Sequence, residues 1–308
     1  MGRHVAIDRP ELDRLVDDAC AEIGREIESL RVPHLAGVVL GGGYGRGEGG
    51  VKGDGLSNDL DFFVITDDDE HEGSLSHISD ALAPISEKWK AKLGIDVDFA
   101  VKIPWRIKHD EERIMVQELV RGYVDVAGEK GERLFARIER RPAEAIPWME
   151  AARLLMNRGM GLLFAMENSR SADFVARNIN KCILGAGDAR LVARHAYAWR
   201  AEDRAKSLGD ALYSAAVEWK FRPKDTPVCE WEKARETWLA ALDEVSSSFK
   251  PPRSIRQAVR WVVRRHNLGA LRTFALDPAV RVLDIVARHV RERLAADGEL
   301  LRDWEIFN

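Results

Sequence analysis

The sequence predicts an α+β chain of two domains, a small mixed β-sheet unit over residues 1–141 and an all-helical unit over residues 142–308. Three observations carry that division. Apolar segments of strand length recur in the first part, at about Val38–Leu40, Leu60–Thr66 and Ile95–Lys102, interleaved with helix-period segments. From Pro142 onward strand-type patterning disappears, and apolar residues recur at helical spacing. Pro142 and Pro147 bracket the change, and a proline interrupts both helix and strand.

The elements follow in order. Asp8 is placed to cap a first helix, with Pro10 in its opening turn and Leu12, Leu15, Val16, Ala19, Ile23 and Ile27 on one face. A helix from about Ser76 to Leu93 lies between the second and third strands. Another is expected near Glu111–Val120, and a last strand near Tyr123–Ala127. In the second part, helices are expected near 143–168, 171–195, 200–221, 229–247, 253–274 and 277–303, with breaks at Ser169–Ser171, Pro223–Pro227, Lys250–Pro252 and Asp277–Pro278. Seven of the nine tryptophans, from Trp148 on, belong to this part and read as core or groove wall.

Composition narrows the function. The 308 residues are 32% charged and 45% hydrophobic, an ordinary globular balance. A net charge of −4 opposes an extended nucleic-acid surface, which needs a basic excess. Cys20, Cys182 and Cys229 are far apart and lack Cys-x-x-Cys spacing, so neither zinc nor a disulfide framework is indicated. The opening residues lack the apolar run of a signal peptide, and no stretch has the length of a membrane span, so the expectation is a cytoplasmic protein.

The chemistry concentrates in one stretch. Asp59 and Asp61 stand two residues apart at the start of the apolar run Leu60–Ile65, and residues two apart on a strand share a face. Two carboxylates in one small volume repel, and burial raises the cost, so they call for a cation; Mg²⁺, which takes carboxylates together with substrate phosphates, suits them. The preceding Gly41-Gly42-Gly43-Tyr44-Gly45 run lets backbone N–H groups approach a phosphate. A third acid comes from Ile95-Asp96-Val97-Asp98-Phe99, where Asp96 and Asp98 both face one side. Asp98 is preferred because both its neighbours are apolar and the strand continues to Val101.

Together, Gly42-Gly43, Arg46-Gly47-Glu48, Asp59-Leu60-Asp61 and Asp98 between Val97 and Phe99 resemble the signature of the DNA polymerase β-like nucleotidyltransferase superfamily. The Tyr44–Glu48 stretch is similar to the Ala-Arg-Gly-Glu version of small bacterial members, while Gly49–Gly55 makes the loop longer than usual. The resemblance covers roughly residues 36–104. It implies a nucleotidyltransferase palm followed by a helical domain, with Asp59, Asp61 and Asp98 as catalytic metal ligands for two Mg²⁺ ions. The implied reaction is NMP transfer from an NTP to a hydroxyl acceptor with release of pyrophosphate. Gly42 and Gly43 would cradle phosphates, with Arg46 beside them.

In that superfamily the helical domain supplies a basic residue to the triphosphate, and Lys181, in the segment Arg177-Asn178-Ile179-Asn180-Lys181, is the candidate here, with Lys220 a weaker one. The absence of a basic excess favours a small molecule or a protein over long RNA as acceptor. Other motifs carry less. Arg190-x4-His195 has the spacing of some helical ribonuclease toxins, yet residues five apart on a helix are offset by about 140° and share no face. Val51–Gly55 lacks the Gly-Lys-Ser/Thr ending of a Walker loop. A chain that has lost catalysis and acts as a nucleotide-sensing or antitoxin-like binding module is the alternative.

Overall fold

The computed structural model describes residues 2–67, 75–165 and 171–248. It is a mixed α+β chain that divides into two units, one of residues 1–141 with Lys220–Pro223, the other of Pro142–Trp219 and the residues from Lys224 on. Among the described residues no helix is long and apolar enough to cross a membrane.

The first unit opens with α1 (Pro10–Leu30), which buries Leu12, Val16, Ala19, Ile23 and Ile27. Its N-cap is Arg9, without a side-chain cap, and not the expected Asp8. Pro10 makes this cheap, because it has no N–H to satisfy and its φ suits a first helical turn. Within the helix, Asp13 accepts the backbone N–H groups of Arg3, His4 and Val5 at 2.8, 2.7 and 3.0 Å, so the helix collects the N-terminal segment. Those donors hold the Asp13 carboxyl below its ordinary value, against desolvation that pushes it up.

Strand β1 (Leu35–Leu40) leads into a single helical turn, α2 (Gly42–Gly45), and then into a small hairpin of β2 (Val51–Lys52) and β3 (Gly55–Leu56). The hairpin is absent from the sequence expectations, since two-residue strands carry no periodicity to read. Strand β4 (Leu60–Thr66), helix α3 (Leu75–Leu93) and strand β5 (Val97–Lys102) follow. The helix expected near 111–120 is the shorter α5 (Ile114–Leu119), and an unexpected helix, α4 (Pro104–His109), opened by Pro104, precedes it. Strand β6 (Val124–Gly128) and the short α6 (Gly131–Leu134) close the unit.

The sheet order is β5-β4-β1-β6, with β4 and β5 parallel and β1 antiparallel to both its neighbours. Alternate residues feed two cores. Val38, Leu40, Phe62 and Val64 meet Val16, Ile23, Leu82 and Trp89 on one face. Val39, Phe63 and Ile65 meet Ile107, Val116, Leu119 and Phe135 on the other. Covered on both faces, β4 reads as a continuous apolar run. Its only residue that is not buried is Asp61.

The described helices of the second unit are α7 (Trp148–Phe164), α8 (Ala172–Ala193), α9 (Ala201–Leu208), α10 (Ala211–Phe221) and α11 (Trp231–Ser248). The expected helix at 200–221 is two helices. Gly209, at φ 64°, ends α9, and the Asp210 carboxylate caps α10 through the N–H groups of Leu212 and Tyr213 at 2.9 and 3.0 Å. Indole N–H groups of Trp148, Trp231 and Trp238 donate to Val245, Leu162 and Leu155 carbonyls, so these rings are built into the helical core. The helices expected at 253–274 and 277–303 lie outside the described residues.

Candidate functional site

The two acidic segments meet through the parallel ladder of β4 and β5. Leu60 pairs with Val97, and the next pair is Asp61 with Asp98. Residues opposite each other in a ladder point to the same face, so two carboxylates stand side by side at one end of the sheet. Asp59 precedes β4 by one residue. Its charge reaches Asp98: desolvation pushes the Asp98 carboxyl above its ordinary value, and the charges of Asp59 and Asp96 push the same way against Lys90.

Asp96 has a different neighbourhood. It lies just outside β5, its carbonyl accepts the N–H of Leu60 at 2.9 Å, and its carboxylate pairs with Lys90 at 2.6 Å. Of the two acids between which the sequence left a choice, Asp98 is the register partner of Asp61 and Asp96 is ion-paired.

The glycine turn covers the same end of the sheet. The Gly41 N–H donates to the Asp61 carbonyl at 2.8 Å, extending the ladder by one bond. Gly42 then turns with φ 59°, and a Cβ there would collide with the Asp61 carboxylate, whose Cγ would stand 2.9 Å away. Only glycine combines that φ with that approach. The opening N–H groups of a helical turn have no acceptor within it. The Gly43 carbonyl, by contrast, is occupied by the N–H groups of Arg46 and Glu48 at 3.2 and 2.8 Å.

Arg46 lies in an ion-pair cluster. Its guanidinium pairs with Glu118 at 3.1 Å and with Glu48 at 3.8 Å. Glu48, only 3% exposed, also receives Lys220 at 2.7 Å. A carboxylate that deeply buried requires such partners. The Lys220 carbonyl lies on the loop that leads to the acids, because a Cβ on Gly50 would meet it at 2.8 Å, alongside Ser57 Oγ at 2.9 Å and Asn58 Nδ2 at 3.0 Å. Lys181 is exposed on α8 in the second unit. Of its neighbours, Arg177 pairs with Asp173 at 3.1 Å and Asn178 donates to the Phe174 carbonyl at 2.9 Å.

Sequence reasoning overlooked Tyr44. Its side chain is fully buried, and its hydroxyl donates to the Gly50 carbonyl at 2.9 Å while accepting the N–H of Ser57 at 3.1 Å and, more weakly, that of Asn58 at 3.5 Å. An aromatic residue set among glycines, which cannot themselves fill a core, is the signal that would have found it. The Arg190 and His195 spacing is taken up structurally, with Arg190 paired to Glu244 at 2.8 Å and the His195 ring against the Glu144 carbonyl at 3.0 Å.

A divalent ion can be tested against these residues. Carboxylate oxygens are the donors that a hard cation takes. Ser57 Oγ, next to Asn58 and Asp59, is buried without a hydrogen-bond partner among the described residues. As placed, however, no three Asp, Glu, His or Cys side chains among the described residues form a ready ligand group. The donor chemistry of the acids fits a hard divalent ion. No family model matches the chain, and a comparison with curated proteins finds no match.

Proposed function

We propose that the chain is a Mg²⁺-dependent nucleotidyltransferase that moves NMP from an NTP to a hydroxyl acceptor, a small molecule or a protein, with release of pyrophosphate. The observation that carries this reading is the ladder pairing of Asp61 with Asp98, with Asp59 close enough for its charge to act on Asp98. Asp59, Asp61 and Asp98 would hold the metal, which supplies charge neutralisation of the phosphates and acidifies an acceptor hydroxyl when bound.

The chain's own groups do the rest. The N–H groups at the start of the Gly42–Gly45 turn receive terminal phosphate oxygens, and Gly42 brings that backbone against Asp61. Asp98, the ladder partner of Asp61, would accept the acceptor's proton. The acceptor oxygen bonds to the α-phosphorus as the bond to the bridging oxygen of pyrophosphate breaks. Arg46 and Lys220, gathered at Glu48 beside the turn, are the first unit's cations for the departing charge.

Pyrophosphate release from each of the four NTPs, measured with Mg²⁺ and a panel of aminoglycosides, proteins and tRNA, tests the reading. The Asp59→Asn/Asp61→Asn variant is the control, and full activity in it sinks the assignment. A second reading is a nucleotide-binding module without turnover. It predicts NTP binding with no pyrophosphate from any acceptor.

A further inference from the structure

We infer that Tyr44 is a positioning residue whose hydroxyl ties the glycine turn to the loop delivering Asp59, so that the phosphate-facing and carboxylate halves of the site move as one. The inference rests on the transferase reading for its consequence, while its geometry stands apart from it.

The chain leaves the glycine turn at Gly50, makes the β2–β3 hairpin and returns at Ser57, two residues before Asp59. The neck of that excursion is closed twice. Ser57 N–H donates to the Gly50 carbonyl at 3.2 Å, and the Tyr44 hydroxyl bonds both sides of the neck, as donor to Gly50 and acceptor from Ser57. Tyr44 itself cannot drift. Its ring fills the space over Gly49, where any Cβ would collide with it, and its carbonyl meets the ring of fully buried His4 at 3.2 Å. Burial pushes the phenol up, and the charge of Asp59 acts in the same direction, so it stays neutral and keeps its proton for Gly50. A single oxygen therefore joins the turn bearing Gly42 and Gly43 to the backbone two residues ahead of Asp59.

The test compares the full-length chain with its Tyr44→Phe and Tyr44→Leu variants in three measurements: hydrogen exchange over residues 50–59, Mn²⁺ affinity by calorimetry, and NMP transfer. Tyr44→Phe keeps the ring and is expected to exchange faster in that segment, to bind Mn²⁺ about 10-fold more weakly and to lose kcat with little change in the NTP KM. Its thermal midpoint should stay near that of the parent. Unchanged exchange, or faster exchange with unchanged Mn²⁺ affinity, overturns the inference. So does a Mn²⁺ affinity that follows the thermal midpoint through both variants, or a Tyr44→Phe chain that does not fold, because either makes Tyr44 purely structural. If the parent chain binds no Mn²⁺ while exchange still responds to Tyr44→Phe, the metal reading fails and the positioning of a metal ligand falls with it, leaving only the loop tie.

Discussion

Asp61 and Asp98 are direct partners across a parallel strand pair, one step beyond the buried pair Leu60 and Val97. A sheet usually fills such a position with apolar side chains. Here the ladder itself brings like charges together, and Asp59 adds a third charge that Asp98 feels. Like charges held this close cost free energy, and in the proposed reading a bound cation offsets that cost.

The first prediction concerns which acid acts. Asp61→Asn and Asp98→Asn are each expected to lower transfer by at least about 100-fold while the fold is kept. Asp96→Asn, which loses the pairing with Lys90 and one of the charges acting on Asp98, should lower it less than about 5-fold. Steady-state kinetics on the three variants decide the matter, and equal losses from Asp96 and Asp98 would remove the distinction.

The second prediction is a pH dependence of stability. The Asp98 carboxyl is raised in the folded chain, so between its unfolded and folded values the native state holds more proton than the unfolded one. Stability therefore falls as pH rises through that window, and the penalty is complete above it. Asp98→Asn removes the penalty and should melt higher at neutral pH, by a margin that solvent screening of this exposed carboxylate keeps small. The difference should vanish below the ordinary carboxyl value of about 3.9. A lower midpoint for the variant at pH 7 would contradict the sign.

Glycines 42 and 53 allow a third, paired prediction. Both have φ near 60°, but a Cβ on Gly42 would strike the Asp61 carboxylate, whereas one on Gly53 would meet nothing within 4 Å. Each alanine variant should lose about 1–2 kcal/mol for the left-handed backbone. Only Gly42→Ala should also lose transfer, because the group that must yield is the Asp61 carboxylate. Chemical denaturation alongside kinetics separates the two effects.

The fourth prediction distinguishes the cations. Lys220 alone cannot be removed cleanly, since Glu48 would stay buried with one partner fewer. The double change Glu48→Gln/Lys220→Met removes the pair together and should raise the NTP KM about 10-fold in a folded chain. Lys181→Ala is the counterpart on α8. If only the latter raises KM, the triphosphate role belongs to Lys181.

How much of this was legible depends on the range of the interactions concerned. Amino-acid order alone determined the α+β class and the full extent of β4 from Leu60 to Thr66, because an apolar run interrupted only by Asp61 specifies a doubly covered strand locally. It also contained, unread, the Gly209-Asp210 pair that splits a helix in two, a signal confined to adjacent residues. Short elements without periodicity, such as the β2–β3 hairpin, left no comparable trace.

Tertiary structure alone decided that Asp98 stands opposite Asp61, that Asp96 takes Lys90, that Tyr44 closes the neck of the loop and that Lys220 reaches Glu48 across 172 residues of chain. Strand register and buried ion pairs are settled by packing between segments remote in sequence, where a shift of one residue reverses every side chain. The residues that make the chemistry conceivable are a local property of the chain, and the arrangement that brings them together belongs to the fold.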